Sequence, residues 1–254
     1  MNSVHEVEIV ADLEKSLEIL YQDEFLVAIN KPAGLLVHRS EIDRHETRFA
    51  VQLLRNQLGQ KVFPVHRLDK PTAGVLVFAL TSEVARNMMA IFMSAELEKT
   101  YHAVVRGFSL ENGVIDHPLI EELDKMTDRR AQQDKAAQSA ITHYQRLATV
   151  ELPFAVGRYP SSRYSLLKLS PKTGRKHQLR RHLKHIFHPI IGDTTHGDGK
   201  QNDFFRQKLE CRQLLLAATQ LNFPHPVTGE MLKIHAPLDA GFQQIMERFA
   251  WRIE

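Results

Sequence analysis

The first half of the chain alternates short apolar runs with turn residues. Residues 17–34 contain two β-type runs around Asp23 and Glu24, and the second run ends at a Lys-Pro-Ala-Gly turn. Apolar runs at residues 62–65 and 75–80 predict two further strands. Pro71 and Gly74 fit poorly inside a regular element, so residues 66–74, between these strands, are predicted to form a loop.

Other segments repeat apolar residues at the spacing of a helix. Phe49, Leu53, Leu54 and Leu58 share one face, and Gly59 is suited to end that helix. The same spacing predicts three more helices, through Val84, Met88 and Phe92, through Leu179, Leu183, Ile186 and Phe187, and through Phe242, Ile245, Met246 and Phe249.

The order of these elements indicates the fold class. Residues 100–105 and 164–171 predict strands, and residues 221–237 predict a strand, a turn and a strand. Helices and strands do not follow a regular βαβ rhythm, which favours an α+β fold with a central, largely antiparallel sheet flanked by helices. We expect a polar N-terminal segment at 1–16, a single mixed catalytic domain at 17–254, and a mobile surface insertion at 121–138.

Composition supports one globular unit. Hydrophobic residues make up 43% of the 254 residues, which is enough for a sizeable core. The N-terminus lacks the basic start and apolar stretch of a signal peptide, and no apolar run approaches the ~18 residues of a membrane span. We therefore expect a cytoplasmic protein without a membrane partner. The single cysteine, Cys211, is predicted to be a buried thiol.

Positive charge is concentrated in one segment. Residues 152–192 contain no Asp or Glu and carry nine of the Lys and Arg residues. Because the whole chain has a formal charge of +3 and this segment has +9, the remainder carries −6. An ordinary solvated face would mix acids among the bases, so the pattern favours phosphate binding. The nine cations are Arg158, Arg163, Lys168, Lys172, Arg175, Lys176, Arg180, Arg181 and Lys184.

The same segment contains His177, His182, His185 and His188. Their spacing places at most pairs on one face of a helix, and no cysteine or acidic residue joins them nearby. A metal site is therefore not expected.

The loop at residues 66–74, HRLDKPTAG, sets the carboxylate of Asp69 beside an arginine. From residue types alone, an Asp that merely caps a turn is favoured over a catalytic Asp. The wider pattern resembles the RluA-type pseudouridine synthases. It comprises NKPAGLLVH at 30–38, HRLDxxTxG at 66–74, EKTYHAVV at 98–105, TGRKHQLRRHL at 173–183 and HPIIGD at 188–193.

This resemblance implies an enzyme that isomerises uridine within folded RNA, binds the RNA in a cleft and uses no metal, nucleotide or other cofactor. The stretch GDTTHGDGKQNDFF makes it most similar to family members that modify uridine 65 in the T-stem of tRNA. The expected partner is tRNA and the expected state is a monomer. Alternatives are an rRNA synthase of the same family, a noncatalytic RNA-binding or folding protein, and an unrelated hydrolase built on Asp69 and His66.

The resemblance also implies roles for particular residues. Asp69 is the expected catalytic carboxylate, which could attack C1′ or remove the 2′ proton. Arg180 is expected to pair with Asp69, and Tyr101 to stack on the flipped base and help remove the C5 proton. Arg67 is a candidate to fill the vacated space. Other substrate-binding candidates are His66, Thr72, Lys99, Arg175, Lys176, His177, Gln178, Leu214 and Leu216, although the two leucines could equally be ordinary core residues.

Two positions depart from the family pattern. Ala73 stands where many members have Ser, and Ala217 stands where many have His. Neither is a catalytic position, so the expected active site does not depend on them.

Overall fold

The computed structural model describes residues 16–39, 45–121 and 136–253. Residues 1–15 of the predicted N-terminal segment at 1–16, and most of the predicted insertion at 121–138, lie outside these ranges. The strands are β1 (Ile19–Gln22), β2 (Leu26–Lys31), β3 (Phe63–Pro64), β4 (Ala73–Ala79), β5 (Glu98–Arg106), β6 (Asn112–Asp116), β7 (Ile141–Leu152), β8 (Ser162–Pro171), β9 (Leu216–Pro224) and β10 (Met231–His235). The helices are α1 (Ala50–Leu58), α2 (Ser82–Met93), α3 (Gln178–His185), α4 (Gly199–Lys208) and α5 (Ala240–Arg248).

All ten described strands form one mixed sheet. Its main path runs β1-β2-β4-β9-β5-β8-β7-β6, with β3 added beside β4 and β10 beside β9. Within the described residues, every pairing between these strands is antiparallel except the short parallel contact of β4 with β9. The predicted α+β class with a largely antiparallel sheet is confirmed.

The parallel contact joins the two halves of the sheet. It consists of Ala73 opposite Ala217 and Gly74 opposite Ala218. Gly74 has φ +114°, and a Cβ at this position would lie 2.1 Å from the carbonyl oxygen of Ala218. The prediction that Gly74 lies outside a regular element was wrong, because the close approach of β9 makes a glycine necessary within β4.

Replacing Gly74 therefore tests this joint. Gly74→Ala is expected to lower the free energy of unfolding by about 3 kcal/mol or more, because the methyl group collides with backbone rather than with a movable side chain. Gly59→Ala is the matched control. Gly59 also has positive φ but faces open space, so only about 1 kcal/mol of backbone strain is expected. Equal unfolding midpoints for the two variants in urea would contradict this explanation.

Helices cover both faces of the sheet. Leu54 of α1 packs against β2 and β4, and Leu183 of α3 packs against β5 and β8. Tyr101 contacts both of these clusters, which places α1 and α3 on one face. In another cluster, Met88 of α2 packs against β2 and β4. In the remaining cluster, Phe205 of α4 and the apolar residues of α5 pack against β5, β8 and β9.

Most predicted elements are confirmed, but α3 is shorter than its apolar pattern suggested. His177 adopts a left-handed conformation with φ +55°, so α3 begins at Gln178. Phe187 also has positive φ and is 79% exposed, so it does not extend the buried face as predicted. Strands β6 and β7 and helix α4 had not been predicted.

The predicted burial of the thiol is confirmed, because Cys211 is 5% exposed and its pKa is raised by that burial. Among the described helices the longest has 12 residues, and none is both long and apolar enough to cross a membrane.

Candidate active site

Asp69 lies in the turn that enters β4, directly beside the joint between the two halves of the sheet. Its carbonyl oxygen accepts a hydrogen bond from the backbone N–H of Thr72 at 3.0 Å, which closes the turn. Thr72 is buried, and Leu68 anchors the other side of the turn in the core. The Asp69 side chain is 24% exposed, so the carboxylate is held by buried neighbours while still facing solvent.

Arg180 connects this turn to α3. Its Nη1 donates to Asp69 Oδ2 at 3.2 Å, so the expected meeting of these two side chains is confirmed. Its Nε and Nη2 donate to the two carboxylate oxygens of Asp193 at 2.7 and 2.8 Å. This bidentate pair fixes the plane of the guanidinium and leaves Nη1 directed at Asp69. Among the described residues, nothing hydrogen-bonds the other oxygen, Asp69 Oδ1.

The pair formed by Arg180 and Asp193 is buried. Burial opposes both charges, but the mutual hydrogen bonds outweigh it, so the pKa of Arg180 is raised and the pKa of Asp193 is held below its usual range. Asp193 also accepts hydrogen bonds from the backbone N–H groups of Thr195 and His196, each at 2.9 Å. Because all these donors bind one carboxylate, Asp193 is fixed in place, and it in turn fixes the Arg180 guanidinium that faces Asp69.

Lys31, at the end of β2, holds the Asp69 turn from the opposite side. Its fully buried ammonium donates to the carbonyl oxygens of Pro32, Leu35 and Lys70 at 3.0, 2.8 and 3.1 Å. Burial lowers the pKa of Lys31 to about 7, and the charge of Asp69 opposes that shift. Three carbonyl acceptors match the three N–H bonds of the ammonium form, so Lys31 joins the 32–35 turn to the residue that follows Asp69.

Tyr101 stands on the face of the sheet that α1 and α3 cover. It pairs with Ala218 of β9, which on its other side pairs with Gly74 of β4. Because Gly74 has no side chain and Ala218 has a short one, the tyrosine ring has room beside the joint. Burial raises the pKa of Tyr101 above its usual range, and the negative charge of Asp69 adds to the shift. The phenol and carboxylate thus share one electrostatic environment.

His66 and Lys99 line a small cavity together with Tyr101. The Nε2 of His66 accepts a hydrogen bond from the N–H of Val77 at 3.0 Å, and its ring stacks on Phe92. Burial, with a smaller contribution from Lys99, lowers the pKa of His66 to about 3. A neutral histidine whose Nε2 is already occupied is poorly placed to serve as a hydrolase base.

Gln178, another predicted site residue, is the first residue of α3. Gln178 is buried and uses its whole amide, accepting from Thr173 Oγ1 and the N–H of Arg175 and donating to Ile141 O and Thr142 Oγ1, at 2.7 to 3.1 Å. These contacts shape the turn that precedes the helix. A direct contact of Gln178 with substrate stays a prediction.

His177 lies closer to the reacting group. Its Nε2 is 3.9 Å from Asp69 Oδ2, and its Nδ1 is 3.0 Å from Nε2 of His196. Since the backbone N–H of His196 is held by Asp193, these contacts link His177 to the same carboxylate that orients Arg180.

The remaining predicted residues divide by exposure. Arg67 and Arg175 are exposed and Lys176 is half-buried, so all three can be reached from solvent. Leu214 and Leu216 are buried in the core cluster beneath α3, which supports their interpretation as ordinary core residues. Substrate contacts by any of these five residues stay predictions.

The site as a whole suits chemistry by one carboxylate. Asp69 has one oxygen directed to a fixed cation and one without a hydrogen bond among the described residues, an arrangement that fits a nucleophile or a base. Lys31 and Asp193 were not identified from the sequence as site residues. Both lie in the motifs at 30–38 and 188–193, and that position was the only signal of their importance.

Comparisons with known proteins agree on one family. A family model described as RNA pseudouridylate synthase matches residues 25–185. The chain is 58% identical over 236 residues to tRNA pseudouridine synthase C of Vibrio cholerae serotype O1, covering 93% of this chain and 97% of that protein. It is 55% identical over 235 residues to tRNA pseudouridine synthase C of Haemophilus influenzae, covering 92% and 98%. The solved structure of human RNA Pseudouridylate Synthase Domain Containing 4 superposes with a TM-score of 0.71 at 26% identity, covering 99% of each chain.

Proposed function

Since the chain belongs to the RNA pseudouridylate synthase family, we propose that it isomerises uridine 65 in the T-stem of tRNA to pseudouridine. The proposal for tRNA follows the relatives that are more than half identical over nearly their whole length. The observation that carries the chemistry is the carboxylate of Asp69 held 3.2 Å from a buried, bidentately anchored arginine.

The reaction requires little more than this carboxylate. The bond between C1′ and N1 breaks, the uracil turns, C5 bonds to C1′, and the proton on C5 is lost while N1 gains one. No electron is transferred to or from an external group. Asp69 either attacks C1′ to form an ester or removes the 2′ proton to give a glycal, and either path restores the carboxylate at the end.

Access to C1′ requires the uridine to leave the helical stack. Arg67, exposed in the same turn as Asp69, is suited to occupy the space that the base vacates. Tyr101 is suited to stack on the flipped uracil, because it stands on β5 beside the joint of β4 with β9, next to the Asp69 turn. The cations near the start of α3 would then hold backbone phosphates.

An rRNA synthase of the same family and a noncatalytic RNA-binding protein are the two alternatives, and they predict different outcomes in cells. A strain lacking the protein should lose one pseudouridine from the T-stem of its tRNA and regain it when the gene is restored. The modified positions are read by chemical mapping of total RNA. Loss confined to ribosomal RNA would assign the protein to another branch of the family, and unchanged RNA would favour a noncatalytic role. We place this reaction in the cytoplasm and expect the monomer to suffice.

Tyr101→Phe separates the two proposed roles of that residue. Phenylalanine keeps the stacking ring but lacks the hydroxyl that could handle the C5 proton. We expect tRNA affinity to remain within about threefold of the wild type, while turnover falls by about 100-fold or more. Binding and single-turnover assays measure the two quantities. Turnover near that of the wild type would leave stacking as the only role.

Salt dependence tests the phosphate contacts. Replacing Arg175 and Lys176 with Gln should reduce the slope of log affinity against log salt by about 1.5, because two phosphate contacts are removed. Replacing Lys61 and Lys200, which lie outside residues 152–192, is the matched control and should leave the slope near that of the wild type. A wild-type affinity that is independent of salt would rule out a role for the basic segment.

A further inference from the structure

Two histidines stack at the end of α3 that is distant from Asp69. The ring centroids of His117 and His185 are 3.7 Å apart and their planes differ by 12°. His117 follows β6 directly, and His185 is the last residue of α3. His185 is exposed and His117 is half-buried, so the pair can be reached from solvent. The proposed isomerisation does not use either ring.

A third histidine fixes the pair in place. His182 is fully buried, and its Nε2 donates to the carbonyl oxygen of His117 at 3.0 Å. Its Nδ1 is 3.0 Å from the hydroxyl oxygen of Thr142, and in the neutral ring it accepts a hydrogen bond from that hydroxyl. The N–H of His117 donates to Ala140 O at 3.2 Å. The backbone of His117 is therefore held on both sides, and the stack is built into the fold.

The charges around the pair favour an anion. Arg181 lies one turn before His185 and donates through Nη1 to Ile120 O at 2.9 Å, and Lys184 is adjacent to His185 and exposed. The C-terminal end of α3 carries partial negative charge, which favours a cation at position 185 but does not itself attract an anion, so Arg181 and Lys184 supply that attraction. The acidic groups nearest in sequence are Asp116, which precedes His117, and Glu121, while α3 itself carries none. Burial, together with the charges of His117, His185 and Arg181, lowers the pKa of His182.

The pair also lies on a path that starts at the active site. Arg181 and His185 lie one turn apart on α3, and His177 immediately precedes the helix. His177 is 3.9 Å from Asp69, and His185 stacks on His117. A metal ion is a poor alternative occupant, since the described residues contain no group of three His, Cys, Asp or Glu side chains arranged to hold one.

We propose that the stacked His117 and His185, together with Arg181, form a phosphate-binding site that holds the RNA backbone where the strand leaves the catalytic pocket. The inference rests on the proposed function in taking RNA as the ligand. It adds a protonation-dependent contact to the fixed charges of Arg175 and Lys176. A phosphate selects the protonated form of an imidazole, so RNA should bind more tightly as the pH falls.

The test measures the affinity of unmodified tRNA at pH 6.0 and pH 8.0 at constant ionic strength, using Asp69→Asn so that the RNA is not converted. The affinity should be about fivefold higher at pH 6.0, as expected for one imidazole with a tenfold preference for phosphate when protonated. Replacing both His117 and His185 with Gln should abolish that difference. His185→Lys should bind tightly at both pH values, because its charge does not titrate in this range.

His235→Gln is the matched control, because His235 is exposed on β10 and lies outside the proposed site. It should retain the fivefold difference. The His185→Lys variant is also a control for misfolding, since tight binding at both pH values requires a folded protein. If the double Gln variant keeps the fivefold difference, or if His235→Gln loses it, the histidine site is wrong while the proposed isomerisation stands. If the Asp69→Asn protein binds tRNA at neither pH and the wild type modifies none, both proposals fail.

Discussion

Asp69→Asn is expected to lower turnover by at least about a thousandfold while tRNA affinity stays within about threefold of the wild type. The amide has nearly the shape of the carboxylate but can neither attack C1′ nor accept the 2′ proton. The phosphate contacts of the proposed interface are made by other residues, so binding should survive. Single-turnover conversion and equilibrium binding measure the two effects separately.

Asp203→Asn is a suitable control for this substitution. Asp203 is an exposed aspartate of α4 whose only ion pair among the described residues is with Arg206. Its replacement should leave both turnover and affinity near those of the wild type. A normal rate for Asp69→Asn would show that the carboxylate assigned to catalysis is the wrong one.

Arg180→Met is expected to reduce turnover by about 100-fold and to lower the free energy of unfolding by about 3 kcal/mol. The loss of turnover follows because Asp69 would lose the cation that orients it. The loss of stability has a different origin, since Asp193 is 2% exposed and would keep a buried charge without its bidentate partner. Kinetics and urea unfolding report the two effects.

A second variant distinguishes these two causes. Adding Asp193→Asn to Arg180→Met removes the buried negative charge, so much of the stability should return while turnover remains low. Arg180→Lys keeps the charge but not the planar fork, and we expect partial stability with reduced turnover. If the double variant regained activity along with stability, Arg180 would be a structural residue rather than a partner of the catalytic carboxylate.

The sequence predicted the parts of the fold that carry a strong local pattern. The apolar periods of α1, α2 and α5 and the runs of β2, β4 and β8 correspond to buried faces. Helix α4 was missed because only Gln201 and Phe205 of its ten residues are buried, which leaves no apolar stripe to detect. Strand β7 was missed because its twelve residues are mostly half-buried and mix polar with apolar types.

The active site shows a similar division. Asp69 and Arg180 are 111 residues apart, and only the family resemblance predicted that they meet. No pattern near Lys31 or Asp193 indicates their contacts, because each acts through backbone atoms or a distant side chain that the fold brings together. The pairing of Ala73 with Ala217 had no signal in the sequence either.

The two departures from the family pattern occupy paired positions in the sheet. Ala73 and Ala217 are directly opposite each other in the parallel contact of β4 with β9, and both are buried. With alanine at both positions, neither contains a buried polar group that needs a partner.

The most direct test of the central proposal is to incubate the purified protein with tRNA that carries tritium at C5 of uridine. Forming a bond between C5 and C1′ expels the C5 hydrogen, so release of tritium reports the reaction itself. We predict that tritium is released from a single T-stem position, uridine 65, and that Asp69→Asn releases none above background. Release from another position, release by Asp69→Asn, or no release by the wild type would contradict the proposed function.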